Sequence, residues 1–296
     1  MDVNDYQAKA SDTSQFDKHT NEALSISLLG LSGEVGELLT EYKKKIRDGS
    51  SYKLFEEKII EELGDIMWYL ASIATHEGIE LSEVLNKSLQ KTSERWNDLR
   101  AHGQLDFDGD FFDDGREESE KLPREFVAVF EEVDESDSKK YARVTVNGVK
   151  FGDHLRDNAY SDDYYRFHDA FHFAYVVVLG WSPISRRFLK CKRKTDDDID
   201  EIEDGGRASV IDEAISALVF EYARNHNFFE GVGGVDYELL STIKMLTRHL
   251  EVKSCTSKQW EHAILLGFEV WRELKSKKKG RLICNMHDKT MVFEDF

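Results

Sequence analysis

The sequence predicts a mainly α-helical protein in two parts: an all-α N-terminal helical bundle, then an α+β domain with a small antiparallel sheet. Only two prolines occur in 296 residues, so long stretches run without the strongest helix breaker. Apolar residues recur at helical spacing through most of the chain. Past Pro123 the pattern changes to β-branched and aromatic residues bounded by turn signals, which reads as strands. At about 150 residues per domain, the length fits two domains.

The helical periodicity predicts helices over about 4–13, 21–47, 54–77 and 81–99. Asp48-Gly49-Ser50-Ser51 stops the second of these and Gly78 the third. Asp106, Asp108, Asp110, Asp113, Asp114, Glu117, Glu118 and Glu120 then crowd one short stretch. Such a charge block reads as a solvated linker. The predicted layout is therefore a domain over 1–103, an acidic linker over 104–124 and a second domain over 125–296. In the second domain, strands are expected at 126–133, 141–146 and 149–151, with Asn147-Gly148 as the tight turn. Helices follow at about 162–179, 208–226, 237–250 and 257–275, and 281–293 returns as a strand.

With 40 Lys+Arg against 58 Asp+Glu, the formal charge is −18. So acidic a chain is a poor match for duplex nucleic acid, whose phosphates call for a basic surface. No apolar run approaches the ~18 residues of a membrane span, and the polar start, Met1 to Asp12, lacks the core of a secretory signal. Cys191, Cys255 and Cys284 are odd in number and match no metal spacing. The expectation is a cytoplasmic protein with neither membrane nor duplex nucleic acid as partner.

The strongest chemical signal is a set of acids on two consecutive helices. Glu34 and Glu37 lie three apart on one, Glu62 and Asp65 three apart on the next, so each pair shares a helix face. Exposed acids are common on solvated faces. Here, however, Ile26, Leu29, Leu38, Leu39, Ile59, Ile66, Met67 and Leu70 make both helices apolar. Acids at a packed seam need compensation, and hard oxygen ligands suit Mg²⁺ or Mn²⁺.

Gly30-Leu31-Ser32-Gly33-Glu34-Val35-Gly36-Glu37-Leu38, followed by Glu61-Glu62-Leu63-Gly64-Asp65-Ile66-Met67-Trp68-Tyr69-Leu70, resembles the MazG-like nucleotide pyrophosphohydrolases. That family belongs to the all-α NTP pyrophosphatase superfamily. Tyr6-Gln7, Lys43-Lys44-Lys45 and Lys91-Thr92-Ser93-Glu94-Arg95-Trp96 agree in order. The likeness covers about residues 4–100; Thr92 stands where the family has Leu, and Ser88 where many members have Asn.

The resemblance implies hydrolysis of (deoxy)nucleoside triphosphates to monophosphate and pyrophosphate, in cleaning or depleting a nucleotide pool. It makes Glu34, Glu37, Glu62 and Asp65 the Mg²⁺ ligands, with one of these or Glu61 accepting the proton of the attacking water. Lys44 lies seven residues beyond Glu37 on the same face. Lys91 and Arg95, four apart, are candidate phosphate contacts. Each also reads as an ordinary surface cation. Trp68 is a candidate for stacking on a base, or a core aromatic. Sites of this kind form within larger bundles, so a homo-oligomer, dimer or tetramer, is expected.

The second domain resembles, from Phe167 to Asn227, the C-terminal domain attached to some MazG-like proteins. His168 and His172, at i and i+4, share a helix face, a spacing that holds a metal and also occurs in structural histidines. His154 and Asp212 are the further ligands an HD-type phosphohydrolase would draw on. Asp169, His172, Glu213 and Ser216 align loosely with Glu34, Glu37, Glu62 and Asp65, as in a diverged repeat. Arg186, Arg187, Lys190, Lys192, Arg193 and Lys194 precede Asp196, Asp197, Asp198, Asp200, Glu201, Glu203 and Asp204. That switch reads either as a loop whose halves screen each other or as a phosphate contact regulated by its acidic half. Two other functions stay open: a nucleotide-sensing module without turnover, and a second metal-dependent phosphohydrolase site in the C-terminal domain.

Overall fold

The computed structural model describes residues 1–15, 20–96, 111–134 and 140–296, with backbone alone for 90, 91 and 93–96. The chain divides into two compact units, Met1–Asn97 and Asp98–Phe296.

The first unit is helical: α1 (Val3–Asp12), α2 (Asn21–Asp48), α3 (Phe55–His76) and α4 (Leu81–Trp96). Asp2 caps α1 by accepting the Asp5 N–H at 2.8 Å, and Thr20 caps α2 through the Ala23 N–H. Gly49, at φ +57°, ends α2 in a conformation that a side chain would strain. α2 and α3 pair along their lengths, bridged by Ser27 and Ser72 hydroxyls at 2.9 Å. From α1, Gln7 accepts the Leu81 N–H at 2.8 Å and donates to the Ile79 carbonyl at 2.9 Å. It thereby satisfies end groups that α4 and the turn before it leave open.

The core of this unit is small: Ala10, Ala71, Ala74 and Leu81, with Val3, Tyr6 and Trp68 packed on it. Leu28, Val35, Leu39, Tyr42 and Ile46 are all exposed on α2. Contrary to the sequence expectation, Asn21–Ser51 is long and apolar enough to cross a membrane by length and composition. Its leucines and isoleucines are diluted by Ser, Gly and Thr and interrupted by Glu34 and Glu37, so no continuous run announces it.

The second unit carries β1 (Glu125–Asp134), β2 (Lys140–Val146), β3 (Val149–Leu155), α5 (Asp169–Leu179), α6 (Pro183–Leu189), α7 (Asp197–Ile202), α8 (Gly206–Arg224), α9 (Tyr237–Thr247), α10 (Ser257–Lys277), β4 (Lys279–Asn285) and β5 (Thr290–Glu294). The sheet is antiparallel in the order β3-β2-β1-β4-β5, so the C-terminal strands do return to the earlier ones. Asn147 and Gly148 both have positive φ, the turn that matches strand twist, and Val146 faces Val149 across it. Phe126, Ala128, Phe130, Val144, Phe151 and Leu282 bury one face of the sheet. Every residue of α5 is buried. α5 packs chiefly along α10, where a Cβ on Gly267 would meet Phe171 Cδ1 at 3.0 Å and Ala174 Cβ at 3.4 Å. A repeat of the first unit would instead pair α5 closely with α8; the sheet and the α5–α10 pairing give this unit a different construction.

Two sequence expectations need correction here. The acidic stretch is not solvated linker as far as Arg124, because from Phe111 onward it belongs to the second unit. Asp113 is buried between Arg124 (2.6 Å) and Arg186 (2.8 Å), and Glu120 accepts the Thr195 N–H and hydroxyl at 2.8 and 2.6 Å. Residues 104–110 lie outside the described residues. Nor is the basic run a single exposed cationic patch, since only Arg187, Lys190 and Lys194 of it are exposed. Arg186 and Arg193 are buried, and Arg193 pairs with Asp204 and Glu251, both at 2.7 Å. Ser182 and Pro183 start an unforeseen helix there, Ser182 capping it through the Ser185 N–H at 3.0 Å.

Candidate functional site: a carboxylate cluster between two helices

Glu34 on α2 and Glu62 and Asp65 on α3 each place a carboxylate oxygen within 4.8 Å of the others. The helix pairing makes this possible, since α2 and α3 are joined by the short turn at 49–54 and lie against each other. Glu62 is buried, Glu34 half-buried and Asp65 exposed. Glu37 is exposed and outside this group of three, yet its charge acts on Glu34 and Glu62. Burial first, then repulsion from Asp65 and Glu37, raises the Glu34 carboxyl above its ordinary value. Burial likewise raises Glu62, with Glu37, Glu34, Glu61 and Asp65 adding to it. The Tyr6 hydroxyl is pushed up by burial and by Asp65.

Among the described residues no ion pair with a Lys or Arg involves Glu34, Glu37, Glu62 or Asp65, although the Lys58 ammonium acts on Glu62 from beyond pairing distance. Lys44 pairs instead with the buried Glu41 at 2.5 Å, which also accepts the Tyr52 hydroxyl. Glu61 faces away into an exposed pair with Lys58 at 2.6 Å. Trp68 donates its indole N–H to the Thr13 hydroxyl at 2.8 Å and packs, half-buried, on the small core. The side chains of Lys91 and Arg95 lie outside the described residues. Beside the acids, Met1, Asp2, Val3, Tyr6, Leu63, Gly64 and Met67 line a pocket of about 450 Å³. Tyr6 is the residue that sequence reasoning left without a role; its nearness to Asp65 depends on how α1 docks, which no local pattern encodes.

In the second unit, His168, His172 and Glu213 also bring one ligand atom each within 4.8 Å of the others. His154 is elsewhere, stacked on Tyr141 at 4.2 Å. Asp212 accepts from His172 Nδ1 at 2.8 Å and from the Ser182 hydroxyl at 2.7 Å. Burial alone would lower His172, but Asp212 and Glu213 outweigh it and raise the imidazole well above its ordinary 6.5. Burial alone would raise Glu213, but the two imidazoles hold it far below the usual carboxylate range. The i, i+4 histidines were legible in the sequence. Glu213 as their common partner was not, because it comes from another helix.

Comparison with known proteins bears on both units. The MazG nucleotide pyrophosphohydrolase domain family matches residues 23–99, and the MazG C-terminal domain family matches 108–296. "Gene 37 protein" of Mycobacterium phage L5 is 38% identical over 101 residues, covering 32% of this chain and 89% of that protein. No solved structure matches. With its two domains in this order, and more than half its length in the second, the chain belongs to the MazG-like family, joining a nucleotide pyrophosphohydrolase domain to a MazG C-terminal domain.

Proposed function

We propose that the first unit hydrolyses (deoxy)nucleoside triphosphates to monophosphate and pyrophosphate with Mg²⁺, Mn²⁺ also serving, in a cytoplasmic role of cleaning or depleting a nucleotide pool. The observation that carries this reading is the convergence of Glu34, Glu62 and Asp65, none of which is in an ion pair with a Lys or Arg among the described residues. Three hard oxygen donors that repel one another fit a small divalent ion. Glu34, Glu62 and Asp65 hold it, with Glu37 as the fourth carboxylate at the rim. When bound, the ion neutralises phosphate charge and polarises the α-phosphate. Glu37, outside the tight group but acting on it electrostatically, is our candidate to take the proton of the attacking water. Glu61 is the weaker candidate, since Lys58 already holds its carboxylate. Lys91 and Arg95 are proposed as phosphate contacts, Arg95 in the bidentate manner. Lys44 reaches phosphate only by leaving Glu41. The pocket under Tyr6 and Met67 offers an apolar floor for a base.

Assembly into a homo-oligomer is part of the proposal. Leu28, Val35, Leu39, Tyr42 and Ile46 follow one another at spacings of 7, 4, 3 and 4, the pattern of a helix–helix seam, and all are exposed. Four glutamates within the same helix, Glu22, Glu34, Glu37 and Glu41, argue for a protein partner over lipid.

The test is a product screen of the full chain with Mg²⁺ across canonical and modified triphosphates, read by mass spectrometry. Pyrophosphate with monophosphate is expected; orthophosphate with diphosphate, or no turnover of any triphosphate, overturns the reading.

A further inference from the structure

We propose that His168, His172 and Glu213 form a binding site for a divalent transition cation of the zinc class, separate from the carboxylate cluster of the first unit.

The argument begins with the ring protons. His168 Nδ1 lies 2.9 Å from the Tyr165 carbonyl oxygen, a group that only accepts. Its Nδ1 therefore carries the proton. His172 Nδ1 lies 2.8 Å from Asp212 Oδ1 and donates in the same way to a carboxylate that the Ser182 hydroxyl and the Ile184 N–H also hold. Each imidazole is thus fixed by its Nδ1 and turns its Nε2 elsewhere. A carboxylate or carbonyl behind the ring is how metal-binding histidines are oriented.

Both Nε2 atoms face one carboxylate oxygen. Glu213 Oε2 is 3.5 Å from His172 Nε2 and 3.6 Å from His168 Nε2. His172 Nε2 is buried and makes no hydrogen bond. A proton bridging such a pair would draw N and O to about 2.7–2.9 Å. With metal–ligand bonds of about 2.0–2.1 Å, tetrahedral geometry instead separates neighbouring ligand atoms by about 3.3–3.5 Å. The observed separations fit the second arrangement: nitrogen and oxygen stand apart by the width of an intervening ion.

Donor type points to the class of ion. Two imidazoles with one carboxylate suit zinc and its first-row neighbours, whereas Mg²⁺ prefers all-oxygen sets. Asp169 and Asp212 are buried beside the ligands, adding negative charge that a dication offsets. Glu213, 44% exposed, gives the site an opening to solvent, and three protein ligands leave a fourth position there.

The experiment uses the full chain stripped with a chelator and titrated with Co²⁺, whose visible absorption is intense in tetrahedral sites. A Glu34→Gln/Glu62→Gln variant removes the first-unit cluster from the measurement, so failure here is distinct from failure of the pyrophosphohydrolase reading. That variant is expected to take up one equivalent of Co²⁺ with the tetrahedral spectrum. Adding His168→Gln or Glu213→Gln is expected to weaken uptake about 100-fold or more, with the circular dichroism of the helices retained. Both positions reach the edge of the cluster, which spares the deeper His172. Absence of a tetrahedral spectrum in the first variant, or its persistence at equal affinity in folded His168→Gln and Glu213→Gln variants, overturns the proposal.

Discussion

Arg186 Nη2 lies 2.8 Å from Asp113 Oδ2, with both side chains 1% exposed and the two residues 73 positions apart in the chain. Burying a charge is favourable only when a partner and hydrogen bonds replace its water. Asp113 meets that condition through Arg186, Arg124 and the Leu122 N–H at 2.7 Å. Asp113→Ala leaves two guanidinium groups facing a void and is expected to cost about 3–5 kcal/mol, read by denaturant unfolding of the full chain. Arg143→Ala, which breaks the exposed pair with Glu131, is the contrast, at about 0–1 kcal/mol. Equal losses in the two variants would refute the assignment.

The same carboxylate gives an acid dependence. Burial alone would raise Asp113, but Arg124 and Arg186 outweigh it and hold its value below the ordinary 3.8. The folded form therefore resists protonation more than the unfolded chain does. Its contribution to stability is fully present above 3.8 and disappears as pH falls through the lower folded value. Unfolding midpoints measured from pH 6 down to about pH 2 should fall less steeply in Asp113→Asn than in wild type. Parallel curves would contradict this.

At the carboxylate cluster, Glu62→Gln keeps the size of a buried side chain and removes its charge. Pyrophosphate release in Mg²⁺ is expected to drop about 10²–10³-fold while the helical signal and monodispersity stay unchanged. A variant turning over at the wild-type rate would remove Glu62 from the site.

Trp68→Phe distinguishes wall from stacking platform. The variant loses the hydrogen bond to Thr13, so a stability loss of about 1 kcal/mol with an unchanged KM for nucleotide is expected. A KM raised tenfold with unchanged stability would restore a direct contact with the base.

The exposed seam on α2 predicts that Leu39→Asp with Ile46→Asp lowers the oligomer's mass in light scattering. Both side chains lie in solvent within one chain, at 63% and 84% exposure, so each protomer is expected to stay helical. An unchanged mass would place the interface elsewhere.

How much of this was legible in the sequence follows from which forces act locally. The four helices of the first unit and the Asn147-Gly148 hairpin were readable because periodicity, caps and turn chemistry are short-range. Glu34, Glu62 and Asp65 could be nominated because each pair repeats on its own helix. Which of the acids draw together depends on the rotation of α2 against α3, and that placed Glu37 outside the tight group. The buried arginines were misread for a related reason. Arg186 and Arg193 look like any surface cation until the segment from Phe111 folds over them, and composition carries no record of that partner. Glu213 reaches the two histidines only through the tertiary meeting of α5 and α8.

Gly267 sits against α5, where Phe171 and Ala174 come up to α10. His172 rides on α5 and His168 caps its start, while the carboxylate rides on α8. A methyl group at 267 has to be accommodated by a shift of a few tenths of an ångström, comparable to the ±0.2 Å within which metal–ligand distances hold. The hydrogen atom at that position thus works as a gauge block. Natural variants that thicken it would alter the packing behind the proposed cluster while leaving every ligand residue in the sequence intact.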